Sequence, residues 1–327
     1  MNGTQYPLVS LCIFTYNQEK YIREAVEGAL SQDYPNLEII ISDDNSTDST
    51  YDIIAECTRK YDGPHRLLIN QNSTNLGLVR HYNKVIYELT HGDYVLCSAG
   101  DDICMPHLTT NALEQLLKSD CSSMAFNAYI IDGDSNQTGI LSEDINHHNE
   151  VYSLDDFLSG HYKTNGACRI MKRDLFETFG PLNEDCQTED TPTRYRLFLY
   201  GKVGYCYSPN IKYRVHGNNI SSSHNLLTKF EPRLIAKQYQ KDLNVAADKG
   251  LISNSGRKQI QKKINYYIYS QTAIRKLYQH KFIIRFVLLL WYCVDWRLSL
   301  GTKKSFILSV LLWMSSDIKA LKFPRVA

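Results

Sequence analysis

Leu37-Glu-Ile-Ile-Ile41-Ser-Asp43-Asp44-Asn-Ser-Thr-Asp48 is the stretch on which the fold turns. The run from Leu37 to Ile41 reads as a short strand buried on both faces, and Ser42-Asp43-Asp44 cuts it off. Asn45 to Asp48 then supplies turn and capping residues ahead of a helix carrying Ile53, Ile54 and Cys57. A strand that passes within a few residues into a helix is half of a βαβ unit.

Working outward, the pattern recurs. Leu8 to Phe14 is a second apolar run, followed by Tyr21, Ile22, Ala25, Val26, Ala29 and Leu30 at helical spacing. Downstream, strands are expected at 66–69, 94–97 and 124–131, with helices at 78–89 and 107–118. Strands alternating with helices imply an α/β fold, a mostly parallel sheet flanked by helices. Ligands bind such sheets beyond the carboxyl ends of the strands. One rim should therefore carry Thr15, Tyr16 and Asn17, then Asp43 and Asp44, then Gly100, Asp101 and Asp102. Residues 133–165 are polar and read as a loop over that rim. A strand near 167–171, helices at 173–178 and from about Glu189, and a β segment at 203–215 follow; past about 228 only helices are read.

The 327 residues carry a net charge of +1, with 43% hydrophobic and 22% charged side chains, which excludes a disordered tail and a small disulfide scaffold. That balance hides a split. Residues 1–253 hold 22 Lys and Arg against 33 Asp and Glu, whereas residues 254–327 hold 14 against 2. The nine cysteines are dispersed and form no CxxC pair, which fits a reducing compartment. The start lacks the basic and apolar regions of a secretory signal. In the basic part, the apolar runs 282–294 and 305–314 are too short to span a bilayer, yet both carry Trp among Lys and Arg. They suit the face of an anionic membrane, or else a helical appendage packed on the rest of the chain or on another subunit. Leu-rich runs argue against nucleic acid as a partner.

Asp101 and Asp102 repel one another unless a cation or a hydrogen-bond network neutralises them, and a hard divalent ion is the usual solution. Turn carboxylates also cap helices, so either pair taken alone stays open between the two uses. Glu189 and Asp190 open a helix, where the macrodipole favours a charged carboxylate; a base and a capping group are both consistent with that. His216 ends a β segment as either a structural residue or a phosphate or metal contact. Arg80 and Arg196 read as solvated or ion-paired helix residues, and His147-His148 as loop surface.

Pro7 to Asn17, Ser31 to Asp48, Asn75-Leu-Gly77 with Asn83, and Gly92-Asp-Tyr94 leading to Gly100-Asp-Asp102 resemble the nucleotide-sugar half of family 2 glycosyltransferases with the A-type fold. Phe179 to Asp185, Thr188-Glu-Asp190 and Tyr213 to Ser221 resemble the acceptor half, and the basic tail lies outside the resemblance. The resemblance implies that Tyr16 packs on the donor's base and that Asp44 accepts a hydrogen bond from uracil. Thr15, Asn17, Asp43, Asn83, Gly100 and Asp102 join the donor-facing set. It further implies that Asp101 ligates Mn2+ or Mg2+, and that Asp190 is the base with Glu189 beside it, while His216 stays open between a structural residue and a phosphate or metal contact. Ala99 departs from the family pattern, standing where the first Asp of Asp-x-Asp is expected.

The expectation is a catalytic domain over 1–225, with a nucleotide-sugar half at 1–132 and an acceptor half at 133–225, followed by a basic helical region at 226–327. The function implied is inverting, metal-dependent transfer of a sugar from a nucleotide diphosphate, UDP-linked, to a glycan or lipid-linked acceptor in bacterial cell-surface polysaccharide synthesis. The expected place is the cytoplasmic face of the cell membrane. An inactive nucleotide-sugar-binding subunit of a membrane assembly is the alternative. A sugar nucleotidyltransferase would need a Gly-rich loop where Thr15-Tyr16-Asn17-Gln18 stands.

Overall fold

A computed structural model describes residues 6–145, 147–217 and 231–279. Two strands form its centre, β1 (Val9–Thr15) and β2 (Leu37–Asp43), and of their residues only Phe14 escapes full burial. Such strands need cover on both faces. Helix α1 (Ile22–Leu30) supplies part of it by burying Ile22, Ala25, Val26 and Ala29, and α2 (Thr50–Thr58) adds Ile54. Glu38, buried inside β2, is tolerated because Ser10 Oγ (2.6 Å) and the Gly92 N–H (3.1 Å) both donate to it.

The remaining elements are β3 (Arg66–Gln71), α3 (Leu78–Lys84) running into a π turn at 85–89, β4 (Tyr94–Ala99), β5 (Ile103–Cys104) and α4 (Leu108–Leu117). Then come β6 (Ser123–Ile131), β7 (Gln137–Ile140), β8 (Glu150–Tyr152), α5 (Leu154–Ser159), β9 (Arg169–Lys172), α6 (Arg173–Phe179), α7 (Asp190–Tyr200) and β10 (Val203–Arg214). Helices α8 (Pro232–Asp248) and α9 (Asn254–Gln279) close the described chain. Two compact units result, one of residues 1–157 and 162–216, the other of 158–161 and 217–327.

The sheet order is β3-β2-β1-β4-β9-β6-β10-β5, with β7 on β6 and β8 on β10. Strands β1 to β4 pair in parallel, and so do β6 and β10. Between these groups β9 lies antiparallel to both β4 and β6. Two reversals restore the direction, so β1, β2, β3, β4, β6 and β10 all end on one side. The amino end of β9 meets them there.

Two expectations change, and one short strand is new. The 133–165 stretch holds two strands and a helix rather than a bare loop, because β7 and β8 find pairing partners that their polar sequences do not advertise. The 78–89 helix widens into a π turn over its last five residues. The two-residue β5, too short for any periodicity, pairs with β10 at the sheet edge. The apolar runs at 282–294 and 305–314 lie outside the described residues. Among those described, no helix is long and apolar enough to cross a membrane.

Candidate active site

The rim expected from the sequence is assembled by register. Thr15 pairs with Asp43, and Phe14 with Ala99, so the chain leaves β1, β2 and β4 side by side. The backbone N–H of Gly100 donates to Phe14 O (2.8 Å) and that of Asp44 to Thr15 O (3.0 Å), which extends the ladder into the turns. Asn17 and Asn45 both take the left-handed conformation, at φ 52° and 61°, as Asn tolerates better than most residues. Asn17 Oδ1 accepts from the Thr47 N–H (2.8 Å), locking the first turn to the second.

Asp44 faces a third turn. Its Oδ1 accepts from Asn72 Nδ2 (2.8 Å) and the Leu76 N–H (2.9 Å), and its Oδ2 from the Gly77 N–H (2.9 Å). Gly77 sits at φ 77°, a conformation that a side chain would strain. Lys84 Nζ (2.7 Å) and Asn70 Nδ2 (3.1 Å) both donate to Asn72 Oδ1, so the Asn72 amide must turn its N–H toward Asp44. Asp43 is fully buried and turns inward, accepting from the N–H (2.9 Å) and hydroxyl of Ser46. It shapes the turn. Tyr16 is 45% exposed on the rim.

Above β4, Gly100 is hemmed in: a Cβ there would lie 2.5 Å from Gln18 Oε1 and 2.9 Å from Thr15 Oγ1. Both oxygens are buried and without a hydrogen-bond partner among the described residues. Asp101 Oδ2 lies 2.9 Å from His216 Nε2, which brings together the two residues proposed as metal contacts. Asp102 is buried and accepts from the Arg214 N–H (2.9 Å); burial, and then the adjacent Asp101, push its carboxyl well above the ordinary value.

Arg214, 1% exposed, binds this end together. Its Nε donates to Asp101 O (2.8 Å), its Nη1 to Asp132 O (3.0 Å) and Ser135 Oγ (2.9 Å), and its Nη2 to Glu24. The guanidinium also lies 4.8 Å from the Tyr21 ring centroid, and that ring packs against His216.

Asp190 opens α7 with Glu189 before it, and Asp190 Oδ1 accepts from Arg169 Nη2 at 2.8 Å. Arg169 stands opposite Cys97 in β4, four residues before Asp101, so the acidic pair belongs to the same end of the sheet. Burial would raise Asp190; Arg169 and then Arg194 override it and hold the carboxyl below the ordinary range. Glu189 goes the other way, pushed up to about 7 by burial and by the Asp190 charge. Two adjacent carboxyls whose surroundings push them in opposite directions are a common acid-base arrangement.

Asn83, expected in the donor-facing set, is engaged within the fold. Its Nδ2 donates to Leu182 O (2.8 Å) and its Oδ1 accepts from the Leu182 N–H (3.0 Å), so both amide atoms tie α3 to the 180s turn. Arg196 is buried rather than solvated, donating to Gly180 O (2.8 Å), whereas exposed Arg80 does pair with Glu184 (3.0 Å). His147 packs on Tyr207, and the described residues hold no group of three or more His, Cys, Asp or Glu placed to share one metal ion. Sequence reasoning missed Asn72, Lys84, Arg169 and Glu24. Their types fit turns, helix faces or strand ends, and only the topology brings them here.

Residues 10–180, more than half of the chain, match Glycosyl transferase family 2, and the chain belongs to that family. An uncharacterized glycosyltransferase of Haemophilus influenzae is 29% identical over 230 residues, 67% of this chain and 69% of its own. Among solved structures, S. aureus TarS 1-349 in complex with UDP-GlcNAc is similar with a TM-score of 0.59 at 18% identity, over 81% of this chain and 72% of that one. Mannosyltransferase PcManGT from Pyrobaculum calidifontis, in complex with GDP-Man and Mn2+, is similar over 98% of this chain and 89% of that one, with a TM-score of 0.53 and 16% identity. At these identities the structural likeness speaks for the fold.

Proposed function

We propose that the chain transfers a sugar, with inversion, from a UDP-linked donor to a glycan or lipid-linked acceptor in the building of a cell-surface polysaccharide. The observation that carries this reading is the charged Asp190, held by Arg169 at the sheet end that also bears Asp101 and His216. The acceptor hydroxyl oxygen forms a bond to the anomeric carbon as the bond from that carbon to the diphosphate breaks, the electron pair leaving with the diphosphate. Asp190 takes the hydroxyl proton.

Asp44 supports a base that presents an N–H to a carboxylate, as the uracil imide does and as the guanine edge also does. Exposed Tyr16 offers the ring to stack on it. The TarS structure, which holds UDP-GlcNAc, adds support by similarity.

Asp101 and His216 form an oxygen and nitrogen pair within reach of one ion, a set that suits Mn2+ and accommodates Mg2+. When bound, that ion would neutralise charge growing on the leaving diphosphate. The Mn2+ in the PcManGT structure supports the same reading. Ala99 removes one family carboxylate but leaves Asp101 in place.

The Trp-bearing apolar runs within the basic tail support peripheral attachment to the inner face of an anionic membrane. Purified full-length chain, incubated with UDP- and GDP-linked sugars, Mn2+ and a glycan acceptor panel, tests the activity through nucleoside diphosphate release. Release from a UDP-sugar, abolished in Asp190→Asn and Asp101→Ala, is expected; Asp190→Asn turnover within tenfold of wild type would remove the base, and binding without turnover would leave the chain a nucleotide-sugar-binding subunit.

A further inference from the structure

Resting on the reading of Asp190 as base, we infer that Arg169 and Gly166 are positioning residues that fix one carboxylate oxygen of Asp190 and leave the other to receive the acceptor's proton. Arg169 opens β9, the one strand that runs against its neighbours in the middle of the sheet, paired to Cys97 on one side and Ala125 on the other. A guanidinium that is 3% exposed in a central strand costs stability unless it is well paired. Here the pairing is sparse. Nη2 donates to Asp190 Oδ1 (2.8 Å) and to Asn165 O (3.2 Å), and Nε has no hydrogen-bond partner among the described residues. A side chain placed for its own sake would be better satisfied.

Gly166 closes the other side. A Cβ built there would lie 2.7 Å from Asp190 Oδ1, 2.8 Å from Cγ and 2.9 Å from Oδ2. Its backbone is outside the left-handed region, so the glycine is required by contact with the carboxylate and not by conformation. The Asp190 side chain keeps 37% of its surface exposed, and Arg169 donates to Oδ1. The other charged and titratable groups acting here are Arg194 on α7, Glu189 before it, Tyr82 on α3, whose hydroxyl lies 3.4 Å from Thr193 Oγ1, and Cys97 on β4.

Four full-length variants decide the matter, each followed by kcat, by UDP affinity from calorimetry and by melting temperature. Arg169→Gln should lower kcat on the order of 100-fold with UDP affinity unchanged, and should move the acidic limb of the kcat profile upward, because the base loses the charge that keeps it deprotonated. Arg169→Lys, keeping the charge without the planar fork, should recover about tenfold and restore the limb. Gly166→Ala should cost at least about tenfold in kcat, again without loss of UDP affinity. Wild-type kcat in Arg169→Gln and Gly166→Ala, alongside a dead Asp190→Asn, would overturn the positioning role. An active Asp190→Asn would instead overturn the base itself. Should Arg169→Gln not fold, Arg169→Lys and Gly166→Ala carry the test, and wild-type kcat in both refutes it.

Discussion

Asn83 and Leu182 hold each other by two hydrogen bonds across 99 residues of chain, 2.8 Å from Asn83 Nδ2 to Leu182 O and 3.0 Å from the Leu182 N–H to Asn83 Oδ1. A side-chain amide thus does for the 180s turn what a neighbouring strand would do. Asn83→Ala strands a backbone N–H and a carbonyl that are partly buried, at a cost of about 1–3 kcal/mol. The expected result is a melting temperature lower by several degrees and reduced kcat, with UDP affinity close to wild type. Equal losses in UDP affinity and kcat would show that Asn83 meets the donor after all.

Gly77 offers a separate handle on the donor side. Gly77→Ala places a Cβ at φ 77° and ψ 159°, a region essentially reserved for glycine, at a cost of about 1–3 kcal/mol, and disturbs the N–H that donates to Asp44 Oδ2. UDP binding should weaken several-fold while kcat at saturating donor stays near wild type. An unchanged dissociation constant would mean that the 72–77 turn does not support the base site.

Glu189 makes stability depend on pH. Its folded value of about 7 lies above the ordinary 4.5, so the folded chain binds its proton more tightly than the unfolded chain does. Its contribution is complete below about pH 4.5 and is lost as pH rises through about 7. Glu189→Gln should therefore be nearly neutral at pH 4 and stabilising at pH 8, by up to about 3 kcal/mol. Urea denaturation at the two pH values measures this, and equal effects at both would contradict it.

Metal dependence is testable through Asp101 and His216. Turnover should fall to background in EDTA and return with Mn2+, and His216→Ala should raise the Mn2+ concentration needed for half activity by at least about tenfold. Full turnover in EDTA would rule the ion out.

Membrane attachment has a sequence-level test. The full chain should sediment with vesicles containing phosphatidylserine, and should do so less when Trp291 and Trp313 are both changed to Ala. Equal sedimentation would point to the charges alone, and none at all would remove the membrane reading.

Much of this architecture is legible in the chain because β1 and β2 are apolar on both faces and their turns are polar, so periodicity and rim coincide. Asp44, Asp101 and Asp190 stand out in the chain for a related reason: each lies close to the end or at the start of a regular element and within a stretch that resembles a family motif. Arg169 does not. Its strand is four residues long and antiparallel, and nothing local says that this arginine faces a carboxylate 21 residues away. Nor does anything local in the chain show that Asn83 meets the Leu182 backbone, 99 residues away. Arg214 lies inside a recognisable motif, yet its reach to Glu24, 190 residues earlier, follows only from β10 returning beside β6.

That reach has a consequence for the order of assembly. Arg214 supplies the links to Asp101, Asp102, Asp132, Ser135 and Glu24, and it is the last residue of the last strand in its unit. During synthesis, β1 to β4 and their helices emerge first and can pair with one another, but the aspartate turn has no clasp until β10 has left the ribosome. Closing contacts so far apart in sequence is slow. A chain halted before Arg214 would therefore expose the aspartates without ordering them, and catalytic competence would arrive as a final event that certifies the whole unit as finished.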